Sequence, residues 1–174
     1  MNELLGLART ATPEHVILIR LILAILVGGI VGLDREWKRK PAGLRTMMLI
    51  SFGSAMFTLI TIEIVADPRL GEAASRADPV RIVEAVTAGV AFLAAGNIIQ
   101  SRGNVAGLTT GASMWVSAAL GVACGAGDYI LAVLGALLTV AVLTLLVRLE
   151  RYVAPQADRS TENTGAVSGT DRSG

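Results

Sequence analysis

The run from Tyr129 to Val147, YILAVLGALLTVAVLTLLV, constrains the fold more than any other feature because it contains no charged residue. About 20 mostly apolar residues make a helix long enough to cross a bilayer. A helix on the surface of a soluble bundle would instead show a polar stripe at the helical period. The run has no such stripe, so it predicts a transmembrane helix.

Four further apolar stretches of similar length precede it, and they cover residues 16–33, 46–66, 82–99 and 105–125. The composition agrees, since 53% of the residues are hydrophobic and 17% are charged, against roughly 25% charged in an ordinary soluble domain. The third and fourth stretches nearly touch, which predicts a tight helical hairpin around Ser101–Asn104. We therefore expect an all-α membrane protein with five transmembrane helices.

Basic residues concentrate on the cytoplasmic side of membrane proteins, so their distribution predicts the orientation. With the N-terminus outside, the inner segments hold ten basic residues and the outer segments four, while Arg20 lies within a span. Half of the ten lie in the loop DREWKRKPAGLR, residues 34–45. The predicted orientation is N-terminus outside and C-terminus inside. The predicted parts are an outer N-terminal segment 1–15, a transmembrane domain 16–148 and a disordered cytoplasmic tail 149–174.

The composition also excludes several classes of function. A formal net charge of +1 provides no large basic surface for nucleic acid. A single cysteine and a single histidine exclude an internal disulfide and a multi-histidine metal site. Phosphate-binding loops and the serine-hydrolase and HExxH motifs are absent, so we do not expect an enzyme. We interpret Cys124 as a small buried residue and His15 as an interfacial one.

Polar side chains within the predicted spans are costly and usually mark function or a paired site. Arg20, Glu63 and Glu84 share a depth near the outer ends of three spans. Either Arg20 pairs with a carboxylate, or all three side chains reach the outer interface. Asn97 lies near the inner end of the third span, where it joins either a polar cluster or a solvated loop. The other polar residues at that inner depth are Asp34, Glu36, Arg45, Thr109 and Thr110.

Small residues recur four apart on several spans. Because lipid provides no hydrophobic drive for association, membrane helices pair through close backbone contacts at small residues. We predict tight interfaces at these positions; the alternative is that glycine is simply common in membrane helices. The predicted contact residues are Gly28, Gly32, Gly107, Gly111, Gly121 and Gly125, with Gly89, Ala95 and Gly96 forming a small-residue face on the third span.

Magnesium is a hard cation that prefers oxygen ligands and keeps much of its water. The candidate donors are Asp34 and Glu36 on the inner side and Asp78, Glu84 and Asp128 on the outer side. No single depth gathers a cage, and the middle of the spans offers only small or hydroxyl side chains such as Ser54, Thr87 and Ser113. This disfavours a cation path through one chain, whereas a homo-oligomer could form a pore at an interface.

Six sequence blocks together resemble a known family. They are GLDREWKRKPAGLRT (32–46), GSA (53–55), DPVRI (78–82), GVAFLAAG (89–96), GLTTGASMW (107–115) and ALGVACGAG (119–127). In this order they resemble the membrane domain of the MgtC/SapB family over about residues 16–148.

The resemblance implies a bacterial inner-membrane protein with about five transmembrane helices. The family is associated with growth under magnesium limitation and, in some pathogens, with survival inside macrophages. Its members are often labelled magnesium transporters, but a regulatory role is implied for the best-known ones, including restraint of the proton-driven ATP synthase. Those members carry a soluble C-terminal domain. This chain ends soon after the fifth span and so resembles the short SapB-type members.

The resemblance is densest in the inner loop, which makes this loop the predicted functional site. Its residues are Asp34, Arg35, Glu36, Lys40, Pro41, Gly43, Arg45 and Thr46. We expect Pro41 and Gly43 to shape the turn into the second helix, and Arg45 to face Asp34 or a lipid phosphate. The departures from the family pattern are Asp34 in place of glutamate, Ala91 and Ala94 in place of glycines, and Asn97 in place of an apolar residue.

Two functions follow as hypotheses. In the first, the chain is a small regulatory membrane protein whose basic loop and small-residue faces bind another membrane protein. In the second, it transports or senses Mg²⁺ or another cation. We expect no cofactor, and Mg²⁺ is the ion whose binding stays open as an alternative. The basic residues of the loop also fit binding to anionic lipid headgroups.

Overall fold

The computed structural model describes residues 10–67, 78, 80–101 and 104–153. The predicted tail from residue 154, the first nine residues and the connection 68–77 lie outside the described residues. Five helices and one short hairpin make up the described part. They are α1 (Glu14–Trp37), α2 (Leu44–Ala66), α3 (Val80–Gly96), β1 (Ile99–Ser101), β2 (Asn104–Ala106), α4 (Leu108–Ala126) and α5 (Tyr129–Val153).

Contacts divide the chain into two units at Val140. The first unit contains α1 to α4, the hairpin and the first half of α5. The second begins at Ala141 and contains the rest of α5, where Thr144 Oγ1 donates to the carbonyl oxygen of Ala141 at 3.2 Å.

Three helices, α1, α2 and α4, are long and apolar enough to cross a membrane. At 24 residues, α1 is about 36 Å long, which exceeds the roughly 30 Å hydrocarbon thickness of a bilayer. The helix α3 has 17 residues, and the apolar part of α5, Tyr129–Leu145, is also shorter than the other three. The chain is thus a helical membrane protein, and five spans remain a prediction.

The predicted helical hairpin around Ser101–Asn104 is wrong, because α3 and α4 are separated by a two-stranded antiparallel hairpin. In its register Ile99 pairs with Ala106 and Gln100 with Val105. One residue separates this hairpin from the start of α4. Gly107 has a φ of +93°, a left-handed conformation that interrupts a helix. Its Cβ, if present, would also overlap the carbonyl oxygen of Asn97.

The helix α2 packs between α1 and α4, and α3 packs mainly on α4. The core that these helices bury is small in volume and contains no ring. Its members are Met47 from α2, Val86 and Val90 from α3, and Met114 and Ala118 from α4. Glycines at the helix contacts bring the backbones close together, and this closeness positions the polar groups described next.

Candidate functional site

Arg35 lies in the last turn of α1 and is buried, with 2% of its surface exposed. Four hydrogen bonds hold its guanidinium group. Nε donates to the Ala42 carbonyl at 3.1 Å, and Nη2 donates to the Pro41 carbonyl at 3.0 Å. Nη2 also donates to Thr110 Oγ1 at 2.6 Å, and Nη1 donates to Ser113 Oγ at 3.0 Å. We call this arrangement the Arg35 clamp, because it ties the end of α1 to the following loop and to α4.

The loop after α1 folds back so that two of its carbonyl groups face Arg35. The Lys40 amide donates to the carbonyl oxygen of Arg35 at 3.0 Å, which closes the turn. Arg39 and Ala42 have φ values of 50° and 54°, a left-handed conformation that L residues rarely adopt. Each such backbone conformation costs on the order of 1 kcal/mol of folding free energy. The hydrogen bond from Arg35 to the Ala42 carbonyl offsets that cost.

The Arg35 clamp and the loop 38–43 between α1 and α2 form one end of the bundle, which we call the loop end. Neighbours of Arg35 also contribute contacts there. Glu36 Oε2 accepts a hydrogen bond from the Leu44 amide at 3.0 Å and so caps the start of α2. A Cβ on Gly43 would overlap the same carboxylate oxygen, so any larger residue there would displace the Glu36 side chain from this position. Asp34 pairs with Lys38 at 2.7 Å, four residues along the chain, and no ion pair joins it to Arg45 among the described residues.

Three of the other predicted loop residues have side chains outside the clamp. Lys40 and Arg45 are exposed, and Thr46 is half-buried. Pro41 contributes its carbonyl group to the clamp. Ser113 is a further member of the clamp that the predicted site lacks, and the three-residue spacing of Thr110 and Ser113, which puts both on one face of α4, is the signal that could identify it.

Glycines at six predicted positions bring backbones together. On α1, a Cβ at Gly28 would lie 2.7 Å from the Met47 carbonyl oxygen, and one at Gly32 would lie 2.7 Å from the Cα of Leu44. On α4, a Cβ at Gly121 would overlap the Ser51 carbonyl oxygen, and one at Gly125 would lie 2.7 Å from Thr58 Cβ. The two others are Gly111, where an added Cβ would lie 3.2 Å from the Cβ of Ala94 on α3, and Gly107, where it would overlap the Asn97 carbonyl oxygen.

Two other predicted contact glycines have no neighbour. A Cβ added to Gly89 or Gly96 would meet nothing within 4 Å. The small residues of α3 therefore leave space in the described part of the chain. Ala94, where the family pattern has glycine, is in contact with Gly111, so its added methyl group is accommodated by a glycine on α4.

The predicted outer residues do not meet one another. Arg20 Nη1 donates to the Gly125 carbonyl at 2.7 Å, at the end of α4 where carbonyl groups lack helical partners. Glu63 accepts hydrogen bonds from the amides of Ala11 at 2.6 Å and Thr12 at 2.9 Å. Glu84 is exposed. Among the described residues, no ion pair joins Arg20 to either carboxylate.

Asn97 does not join a cluster with Asp34, Glu36 and Arg45. Its Nδ2 donates to the Leu93 carbonyl at 3.1 Å and lies 3.6 Å from Met114 Sδ. Thr109 contributes its carbonyl oxygen, which accepts from Ser113 Oγ at 2.7 Å. Across the described ranges, no group of three or more acidic, histidine or cysteine side chains is placed to hold a metal ion.

Comparison with known proteins places these features in a family. The model of the MgtC family matches residues 21–152. The Escherichia coli K12 protein named "Putative magnesium transporter YhiD" is 42% identical over 130 residues, which is 72% of this chain and 58% of that protein. Protein SrpB of Synechococcus elongatus is 39% identical over 140 residues, covering 76% of this chain and 75% of SrpB.

Protein MgtC of Salmonella typhimurium is 37% identical over 112 residues, which is 64% of this chain and 44% of that protein. No solved structure matches the chain. The chain thus spans 58% of the length of the Escherichia coli relative and less of the Salmonella one. The family model covers both ends of the Arg35 clamp and the helices that carry it. On this evidence, the chain belongs to the MgtC family.

Proposed function

We propose that this chain is a small partner-binding protein of the bacterial inner membrane that takes part in adaptation to low magnesium, and that it regulates another membrane protein rather than moving ions. It has five spans, an outer N-terminus and an inner loop end. The proposed role in magnesium adaptation is supported by the name of the Escherichia coli relative. The orientation rests on the excess of basic residues in the loop 34–45.

The observation that carries the proposal is the buried charge of the Arg35 clamp. The guanidinium lies between α1 and α4 and is held by neutral oxygen atoms, with no carboxylate among its hydrogen-bond partners. A divalent cation 4 Å from a fixed positive charge would be repelled by about 8 kcal/mol at an effective dielectric constant of 20. This charge disfavours passage of Mg²⁺ along the interior of one chain at the loop end.

Contacts further along the bundle favour the same conclusion. The Ser51 carbonyl oxygen lies against Gly121 so closely that no Cβ would fit between them. Ser54 and Thr58 are buried, and each hydroxyl donates to the carbonyl group one turn earlier on its own helix. Because both side chains are buried, their hydroxyl oxygen atoms do not face an open path for a hydrated ion.

The loop end also carries an exposed surface suited to a protein partner. Trp37 is 90% exposed and is followed by the exposed Arg39 and Lys40. Tryptophan and arginine are enriched where proteins contact each other. By family resemblance, the ATP synthase is the first partner to test.

A crosslinking experiment tests partner binding in cells. A photoreactive amino acid at position 37 should give a crosslinked product of discrete mass. The same group at Ile130, which is 78% exposed near the other end of the bundle, serves as the control. Equal crosslinking at both positions, or none at position 37, would contradict partner binding at the loop end.

Transport is the alternative, and the name of the Escherichia coli relative favours it. Purified protein in liposomes containing a Mg²⁺-sensitive dye measures it directly. We expect no flux above that of empty vesicles. Flux that is lost in Glu84→Ala would refute a purely regulatory function.

A further inference from the structure

A groove runs between α2 and α3 and is separate from the Arg35 clamp. Its volume is about 540 Å³. We call it the α2–α3 groove; its walls include Leu49, Gly53 and Phe57 from α2 and Val86, Gly89 and Leu93 from α3. The polar member of the lining is Ser54, and its hydroxyl group already donates to the Ile50 carbonyl. The groove therefore offers hydrocarbon contacts to an occupant.

Two glycines leave the groove open. A Cβ at Gly53 or at Gly89 would meet nothing within 4 Å, unlike the glycines between α1, α2 and α4. The lining side chains face outward as well, since Leu49 is 68% exposed and Phe57 is 59% exposed. In a membrane protein this opening faces lipid, so an acyl chain can enter from the side.

The length of the groove suits an acyl chain of one leaflet. From Leu49 to Phe57 the wall is about 12 Å long, at 1.5 Å per residue, which approaches the roughly 15 Å hydrocarbon depth of one leaflet. An acyl chain can therefore lie along this length, parallel to the apolar walls of the two helices.

A basic residue continues the wall of the groove at the loop end. Arg45, Leu49, Gly53 and Phe57 are spaced four apart, so they lie along one face of α2. Arg45 is exposed, and no carboxylate among the described residues pairs with it. Its guanidinium is thus available to a phosphate group just beyond the hydrocarbon part of the groove.

We propose that the α2–α3 groove binds an anionic phospholipid of the leaflet at the loop end, with an acyl chain between the two helices and the phosphate group at Arg45. The apolar walls bind the chain, and Arg45 selects for negative charge. Lipid binding here is independent of whether the loop end also binds a protein.

Native mass spectrometry of the full chain in detergent tests this site. Phosphatidylglycerol and phosphatidylcholine with the same acyl chains are added at equal concentration. We expect about fivefold more retained phosphatidylglycerol, the factor expected when one basic residue contributes about 1 kcal/mol near an anionic headgroup. Arg45→Gln should abolish this preference, whereas Lys40→Gln, which also removes an exposed positive charge but lies off the groove, should preserve it.

Filling the groove tests the acyl-chain part. Gly89→Leu and Gly53→Leu add side chains from opposite walls at positions where a Cβ meets nothing within 4 Å, so each should lower retention of both lipids. Gly96→Leu is the matched control, because it also has open space but does not line the groove. The proposal is overturned by equal retention of the two lipids, or by leucine variants that retain as much lipid as Gly96→Leu. A dimer that is lost in Gly89→Leu would instead assign the groove to a second copy of the chain.

Discussion

Replacing Arg35 by lysine keeps the positive charge but removes the planar fork that makes the clamp. The four acceptors are spread around the guanidinium, at 2.6 to 3.1 Å from its three nitrogen atoms. A single ammonium group reaches at best two of them, so two hydrogen bonds to a charged group are lost. Each contributes about 1.5–3 kcal/mol, whereas hydrogen bonds between helices in membranes average nearer 0.6 kcal/mol. We therefore expect a loss near the lower end, about 3 kcal/mol.

Equilibrium unfolding in mixed micelles with increasing SDS measures this loss, and the fluorescence of the two tryptophans reports the transition. Arg45→Lys is the control, because Arg45 is exposed, and it should change the free energy of unfolding by less than about 0.5 kcal/mol. If Arg35→Lys unfolds within 1 kcal/mol of the wild-type protein, the clamp does not stabilise the fold. Thr110→Val and Ser113→Ala should each have a smaller effect in the Arg35→Lys background than in the wild-type protein.

Three further predictions use the same unfolding assay. Gly121→Ala should destabilise the protein by at least about 2 kcal/mol because its Cβ overlaps the Ser51 carbonyl oxygen. The control Gly53→Ala, where the added Cβ meets open space, should be neutral or stabilising. Equal changes in the free energy of unfolding for the two variants would contradict the close packing at Gly121. Ser51→Ala should be neutral or stabilise by about 1 kcal/mol, since its buried hydroxyl has no hydrogen-bond partner, and a clear loss of stability would mean that the hydroxyl is bonded. Glu36→Ala should cost about 1 kcal/mol by uncapping Leu44; an unchanged midpoint would show that the cap contributes nothing.

Hydropathy predicts the long helices well because a bilayer admits few alternatives to a helix. The second stretch was predicted over residues 46–66, and α2 covers Leu44–Ala66. The first was predicted to end at residue 33, but α1 continues to Trp37. Its last turn contains charged residues, which hydropathy assigns to the loop. The helix continues because Arg35 finds its oxygen partners inside the protein rather than in water.

The site was predicted less completely than the fold. The sequence identified the loop 34–45, but it could not show which of five basic residues turns inward. That choice depends on Thr110 and Ser113, which are 75 and 78 positions away from Arg35 in the chain. Arg20 shows the same difficulty, since its partner is a backbone carbonyl group at Gly125 and carries no signature in the side-chain sequence. Contacts that join distant segments through backbone atoms are not visible in a single sequence.

The Arg35 clamp also has a consequence for the order of assembly during synthesis. Its two carbonyl partners, at Pro41 and Ala42, leave the ribosome only a few residues after Arg35, whereas Thr110 and Ser113 follow much later. Until α4 is inserted, two of the four hydrogen bonds of the clamp therefore have only water or lipid headgroups as acceptors. Docking of α4 draws this solvated charge into the bundle and completes the contact between the first and second halves of the chain. A chain interrupted before α4 would leave Arg35 partly solvated at the membrane surface instead of buried.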